Sequence, residues 1–305
     1  HKCRLPGYFV ILEHVRGKFI RFARARSVWI GYATTQIHLD DIKGNKIVAM
    51  NLFDLTGKVA IVTGSTKGIG KAMAEGLAEH GAKVVITSRK ADLCEDVANG
   101  IKAEGGEAIA IPCNISRKED MDNLLAKTRE AWGQIDILIL NAAVNPFYGS
   151  ALDIPDDAFD KTMDVNIKCN LAFCREVIPE MQARKDGAIM IVSSIGGLRG
   201  STVLGAYCIS KAADMQIVRN LAAEFGKDNI RVNCIAPGLV KTNFARALYE
   251  DPEVAAKREE ATPMGRLGEG EDLAGIAVYL ASKAGSWTTG QTFCIDGGVT
   301  AVGAG

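Results

Sequence analysis

The sequence predicts an α/β protein: one doubly wound parallel sheet with helices on both faces. Three observations predict it. From residue 50 onward, short continuous apolar runs alternate with longer stretches of helical period, the pattern of strands buried on both faces and joined by crossover helices. A glycine-rich turn at residues 63–70 directly follows the first apolar run. No repeat or low-complexity segment breaks the alternation, and 305 residues with 48% hydrophobic content point to one large core rather than two full-size domains.

The apolar runs at 59–63, 83–87, 108–111, 135–140, 188–192, 231–235 and 292–295 read as strands, seven in all. Between them the 3.6-residue period predicts helices near 68–80, 91–104, 117–131, 156–183, 206–226 and 270–282. In such open sheets ligands bind at the carboxyl ends of the strands, where the connections change direction. The motifs described below all fall just after a predicted strand or on the helix that follows it.

The front of the chain differs. Residues 1–50 hold nine Lys/Arg against three Asp/Glu, leaving 27 against 33 in the rest, so the main body is acidic. That argues against nucleic acid as the primary partner, since phosphate neutralisation needs a basic face. The first methionine is Met50, and residues 1–49 show no clear period. They are expected to be a non-native or disordered extension of a catalytic domain at 50–305; a targeting segment or a basic interaction arm are the alternatives. Eight cysteines without a C-x-x-C pair suggest a reducing compartment and no zinc site. With no apolar run of spanning length, a cytoplasmic protein without membrane contact is expected.

In Thr63-Gly64-Ser65-Thr66-Lys67-Gly68-Ile69-Gly70, glycine at 64, 68 and 70 suits a tight turn, close approach of a pyrophosphate, and close helix–sheet packing. The helix N-terminus then offers free N–H groups and partial positive charge. An ordinary βα turn is the alternative. After the second strand the chain reads Thr87-Ser88-Arg89-Lys90, without the acidic residue that holds an NAD ribose. Arg89 can pair with a 2′-phosphate and Lys67 lies in the adjacent loop, which favours NADP(H); two solvated bases at a helix start are the alternative.

Tyr207 and Lys211 stand four apart in a helical segment, one turn apart on one face. An ammonium beside a phenol, with the positive ring of an oxidised nicotinamide, favours the phenolate. Lowering the phenol's pKa from near ~10 to about 7–8 takes roughly 3–4 kcal/mol. Such a tyrosine can exchange a proton with an alcohol or carbonyl oxygen while hydride passes to or from the nicotinamide. Ser194 lies beyond a strand end, where its hydroxyl can stabilise developing charge on that oxygen, and Asn166 is a polar residue within a predicted helix. After residue 50 the only histidine is His80, so a Ser-His-Asp hydrolase or a His-rich metal site lacks its parts.

As a set, the 63–70 loop, Asn141-Ala142-Ala143-Val144, Asn166, Ser194, Tyr207-Cys208-Ile209-Ser210-Lys211 and Pro237-Gly238-Leu239-Val240-Lys241-Thr242 resemble the short-chain dehydrogenase/reductase family over about residues 52–298. The resemblance implies a single Rossmann-fold domain with a seven-stranded parallel sheet, a homo-oligomer (dimer or tetramer), and a Ser-Tyr-Lys-Asn active site. Ser194 would polarise the carbonyl, Tyr207 act as acid/base, Lys211 bind the nicotinamide ribose and tune Tyr207, and Asn166 support a proton-relay water. Gly64, Ser65, Lys67, Gly68, Ile69 and Gly70 would hold the cofactor, with Ser88, Arg89, Asn114, Ile115, Asn141, Ala142, Pro237, Gly238, Val240 and Thr242. Val144 stands where glycine is usual, and Asn114 where an Asp commonly meets the adenine amine. The run 141–147 with Ser88-Arg89-Lys90 looks like the NADP-dependent carbonyl and retinol reductase branch.

Residues 243–268 form the expected lid. With Phe244, Leu248, Tyr249, Pro263, Met264 and Leu267, and with Val144, Phe147, Tyr148 and Leu198 nearby, the lining suits a small-molecule ketone, aldehyde or secondary alcohol of apolar character. A 3-oxoacyl-thioester reductase, with Arg199 or Arg246 meeting an anionic group, is a near alternative, as is an NAD-dependent alcohol dehydrogenase. A non-catalytic NADP-binding regulatory protein is the alternative of a different class.

Overall fold

The structure, a computed structural model, describes residues 51–302 together with four short strands upstream. In the upstream unit Cys3–Leu5 pairs antiparallel with Tyr8–Val10, and Ser27–Val28 with Ile37–His38. The other residues of that stretch, and the expectation that 1–49 form a non-native or disordered extension, lie outside the described residues.

In the main unit, β1 (Val59–Thr63), α1 (Gly68–Glu79), β2 (Lys83–Thr87), α2 (Ala91–Ala103), β3 (Glu107–Ala110), α3 (Lys118–Trp132) and β4 (Ile137–Leu140) follow in strict alternation. Next come α4 (Asp156–Met163), a π-helical turn (Asp164–Lys168), α5 (Cys169–Arg184), β5 (Gly187–Val192), α6 (Gly205–Phe225) and β6 (Ile230–Pro237). The chain closes with α7 (Pro252–Glu260), α8 (Ala274–Ala281) and β7 (Thr292–Ile295).

All seven strands are parallel, in the order β3-β2-β1-β4-β5-β6-β7. The reason is legible in the strands themselves. β1, β4 and β5 are buried at every position, and side chains alternate between faces with period two. Ala60 and Val62 of β1 therefore meet Met73 and Leu77 of α1, with α2 and α8 alongside. Ile61 points the other way, to the layer of Leu124 on α3, Phe173 on α5 and Val218 on α6. Two hydrophobic layers thus clamp one sheet, as the sequence predicts.

The strand order reverses between β1 and β4, which opens a crevice at their carboxyl ends. Thr63 pins that point. Its buried hydroxyl accepts from the Asn141 and Ala142 backbone N–H groups at 2.9 and 3.1 Å, so the ends of β1 and β4 share one anchor. Two expectations are refined here. The single helix expected over 156–183 is split by the π-helical turn, and α7 lies inside the expected lid, where no helix was expected. No helix among the described residues is long and apolar enough to cross a membrane.

Candidate active site

A cleft of about 1350 Å³ lies along the carboxyl ends of the strands. That exceeds the ~300–1,000 Å³ of an ordinary small-molecule site, room for an extended dinucleotide with a second molecule beside it. Its wall brings together Gly64, Lys67, Gly68, Ile69 and Gly70 with Ser88, Arg89, Asn114, Ile115, Asn141, Ala142, Tyr207, Pro237, Gly238, Val240 and Thr242.

Local physics shapes the phosphate end. Gly64 and Gly68 take φ of +69° and +55°, a region that side chains resist. A Cβ on Gly70 would collide with the Gly64 carbonyl. No side chain caps the start of α1 and its first turn carries no acidic residue, so its N–H groups face the cleft with their positive end unneutralised. A glycine cradle with an uncapped helix start and two exposed bases at its edge, Lys67 and Arg89, fits a dinucleotide whose ribose carries an extra phosphate.

Ser65 does not fit the reading given to it. It is fully buried, its hydroxyl accepts from the Thr87 N–H at 2.9 Å, and its own N–H donates to the Thr87 carbonyl. Its side chain braces the loop against β2 and does not line the cleft. The Asn141 amide similarly donates to the Thr63 and Gly64 carbonyls at 2.9 and 3.3 Å, orienting the loop from behind. Asn114 spends part of its acceptor capacity on the Ser116 N–H at 3.2 Å and retains its own amide donor.

At the other end, Tyr207 reaches the cleft from the first turns of α6. Ser194, half-buried just beyond β5, caps the turn Ile195–Gly197 by accepting from Gly196 N–H at 3.0 Å, and its hydroxyl lies beside Tyr207, where it favours the phenolate. That turn sits on α6 with no room for a side chain: a Cβ on Gly197 would stand 2.7 Å from the Lys211 backbone. Ser193, the neighbour liable to confusion, is buried, and its hydroxyl donates to the Lys211 carbonyl at 2.6 Å. Lys211 lies behind Tyr207, its Nζ 5.7 Å from the ring centroid and its side chain buried. Its ammonium donates to the Val192 carbonyl at 2.9 Å and to Asp214 at 3.0 Å.

Asn166 occupies the π-helical turn, a feature that often marks a functional position. Its Oδ1 accepts from Val144 N–H at 2.9 Å, and its Nδ2 donates to the Val144 carbonyl and to Ser210 Oγ, both at 3.0 Å. The side chain is thus a clamp on the segment after β4, fully buried. Its backbone carbonyl accepts from the Asn170 amide at 2.7 Å.

Several effects compete at the Tyr207 phenol. Burial is the largest effect and holds the phenol above its ordinary value; Lys211 and the Ser194 hydrogen bond pull it down, while Asp214 and Cys208 push it up. Lys211 alone does not outweigh desolvation. Sequence reasoning missed Asp214 and Asn170, which complete the polar core behind the tyrosine. The signal was present in the spacing, since Asp214 is three residues past Lys211 and Asn170 four past Asn166, each pair on one helix face.

Comparison with known proteins decides the family. A family model described as "Enoyl-(Acyl carrier protein) reductase" matches residues 64–300. Dehydrogenase/reductase SDR family member 4 of Homo sapiens is 43% identical over 244 residues, covering 80% of this chain and 88% of that protein. The chain belongs to the short-chain dehydrogenase/reductase family. The mitochondrial SDR family member 2 of Homo sapiens is 37% identical over 243 residues, covering 80% of this chain and 86% of the relative. Among solved structures, a gluconate 5-dehydrogenase from Burkholderia cenocepacia in complex with NADP and tartrate superposes with a TM-score of 0.79 at 30% identity, covering 83% of this chain and 98% of its own. A putative NAD(P)-dependent gluconate 5-dehydrogenase from Beutenbergia cavernae with bound NADP has a TM-score of 0.77 at 34% identity, covering 82% and 100%. As a family member, the chain is an oxidoreductase.

Proposed function

We propose that this short-chain dehydrogenase/reductase is an NADP(H)-dependent carbonyl reductase with Tyr207 as the acid/base. The observation that carries the reading is that Tyr207 lines the same cleft as the glycine cradle, with Ser194 beside it and the Lys211 ammonium 5.7 Å from its ring centroid. NADP(H) is the cofactor: Gly64, Gly68, Gly70 and the α1 start would hold its diphosphate, and Lys67 and Arg89 its 2′-phosphate. When bound, the nicotinamide supplies or accepts the hydride.

The chain's own residues handle the oxygen. Ser194 donates a hydrogen bond to the carbonyl, stabilising the charge that grows there. Tyr207, whose phenol desolvation holds above its ordinary value, gives the proton that completes the alcohol. Lys211 sits one turn away with its positive charge under the phenol ring and favours the phenolate left behind.

Substrate character follows from the lid. Residues 243–268 lie between β6 and α8 and contribute Phe244, Leu248 and Met264 to the wall, joined by Val144 and Tyr148. The Phe244 ring stands 6.0 Å from that of Tyr207. Tyr249 and Leu267 anchor the segment instead, through a bond to the Thr242 carbonyl at 2.9 Å and by burial. Pro263, Phe147 and Leu198 are not on this wall. An apolar ketone or aldehyde fits best. Arg199 lines the wall, whereas Arg246 is paired with Glu250 at 2.8 Å, so an acidic group on the substrate would meet Arg199. A homo-oligomer and a cytoplasmic location remain part of this proposal.

The test is a panel of apolar ketones, a 3-oxoacyl thioester and a hydroxy acid such as gluconate, read by NADPH absorbance with NADH in parallel. Turnover of the apolar ketones with NADPH supports the reading. A strong preference for NADH, or turnover confined to the hydroxy acid, overturns it.

A further inference from the structure

Behind Tyr207 the protein carries a buried charge that the proposed chemistry has not used. Asp214 is fully buried, three residues beyond Lys211 on α6. Its Oδ2 accepts from the Lys211 ammonium at 3.0 Å and its Oδ1 from the Asn170 amide at 3.2 Å. Two donors on two oxygens are the pattern of a carboxylate, which only accepts. Asn170 uses the same amide nitrogen to hold the Asn166 backbone carbonyl at 2.7 Å. One continuous chain of side chains therefore runs from the Asn166 turn, through Asn170 and Asp214, to Lys211.

We propose that Asp214 is a positioning residue that keeps Lys211 in place as an ammonium, with Asn170 fixing Asp214 to the Asn166 turn. The inference rests on the assignment of Lys211 and Tyr207 above. The physical need is plain: an ammonium with almost no solvent contact is unstable in its charged form unless paired. Of the three Lys211 donors, one is met by the Val192 carbonyl and one by Asp214. Burial works to discharge Lys211, yet the attractions of Asp214 and Tyr207, with the Asp214 hydrogen bond, outweigh it and leave the group above its ordinary range.

The other groups facing the pair are few. Tyr207 comes from the same helix and Cys234 from β6, the latter pushed up to about 12 by burial and hence neutral. β5 contributes the Val192 carbonyl, α5 the neutral Asn170, and Ser193 bonds to the Lys211 backbone. Burial pushes the Asp214 carboxyl up, while the Lys211 charge and the hydrogen bonds from Lys211 and Asn170 pull it down, so each charge of the pair is held by the other. Without Asp214, desolvation would govern and Lys211 would lose its proton within the working pH range.

The test is Asp214→Asn, nearly isosteric but uncharged, with NADPH-dependent carbonyl reduction measured from pH 5.5 to 9. The expected result is a new descending limb below pH 8: kcat is reduced at least tenfold at pH 8 and recovers toward the wild-type value at the acid end, where Lys211 regains its proton. Asn170→Ser, which keeps the charge but drops the anchor, is expected to move the same limb in the same direction by less, and it reads the effect if Asp214→Asn fails to fold. A loss uniform across pH, or an unchanged profile, in the folded variants overturns the proposal. Tyr207→Phe in the same assay separates the readings. If it stays active, the assignment of Tyr207 has failed; if it is inactive while the pH profile of Asp214→Asn matches wild type, the inference about Asp214 alone has failed.

Discussion

Gly68 at the start of α1 faces Thr242 beyond β6 so closely that a Cβ on Gly68 would stand 2.8 Å from Thr242 Cγ2. The glycine also takes φ of +55°. Both facts tie the cofactor cradle to the segment that enters the lid.

Gly68→Ala is therefore expected to cost about 1–2 kcal/mol of backbone strain and also to displace the cradle. The dissociation constant for NADPH, read by fluorescence titration, should rise at least fivefold. Gly57→Ala is the control: Gly57 has φ of +80° with nothing within 4 Å of its added Cβ, so it should lower Tm while leaving NADPH affinity unchanged. Equal affinity losses in the two variants would contradict the account of the cradle.

Arg89 at the end of β2 is assigned the 2′-phosphate. A hydrogen bond to a charged group contributes about 1.5–3 kcal/mol, so Arg89→Ala should weaken NADPH binding by roughly 10–100-fold. NADH affinity, measured on the same preparation, should hardly change. A parallel loss for both cofactors would show that Arg89 acts through the fold and not through the phosphate.

The Arg266–Asp272 pair makes a two-pronged contact at 2.7 and 2.8 Å, and Asp272 also accepts from the Glu269 N–H at 2.8 Å. The Arg266 hydrogen bonds, with that N–H, hold the Asp272 carboxyl down at about 2 from an ordinary 3.8. A carboxyl depressed in the folded state stabilises the fold above its unfolded pKa and loses that contribution as pH falls through the folded value. Asp272→Asn should thus be less stable than wild type in urea unfolding at pH 5–7, by a small margin because the pair is solvent-screened. The gap should close between about pH 4 and pH 2. A gap that persists unchanged at pH 2 would assign the loss to something other than the carboxylate.

Much of this was legible in the sequence, for a physical reason. Strands buried on both faces, such as Val59–Thr63 and Lys83–Thr87, write themselves as unbroken apolar runs, and their bounds match the expectation residue for residue. The π-helical turn at Asn166 carries no such signature, because its extra residue is held by tertiary bonds to Val144 and Ser210. The start of α7 is marked by Asp251, whose side chain caps the Glu253 and Val254 N–H groups ahead of Pro252, but its nine residues bury none of their side chains, so no apolar stripe announces the helix. Within the site, spacing and the family resemblance pointed to Ser194, Tyr207 and Lys211, which the fold brings together. Spacing could not distinguish Ser65, which turns toward β2, from the loop residues that face the cleft. Nor did it separate Asp214 from an ordinary solvated helix residue, since burial is decided by the layer of β5 and α5 packed against it.

The central claim is that Tyr207 moves the proton. Tyr207→Phe removes only the hydroxyl and keeps the ring beside Phe244 and Lys211. Stopped-flow oxidation of bound NADPH by a carbonyl substrate should slow by about 10²–10⁴-fold, the usual worth of a positioned acid, with NADPH affinity within a fewfold of wild type. Hydride transfer at the wild-type rate in a variant that binds NADPH normally would contradict the account.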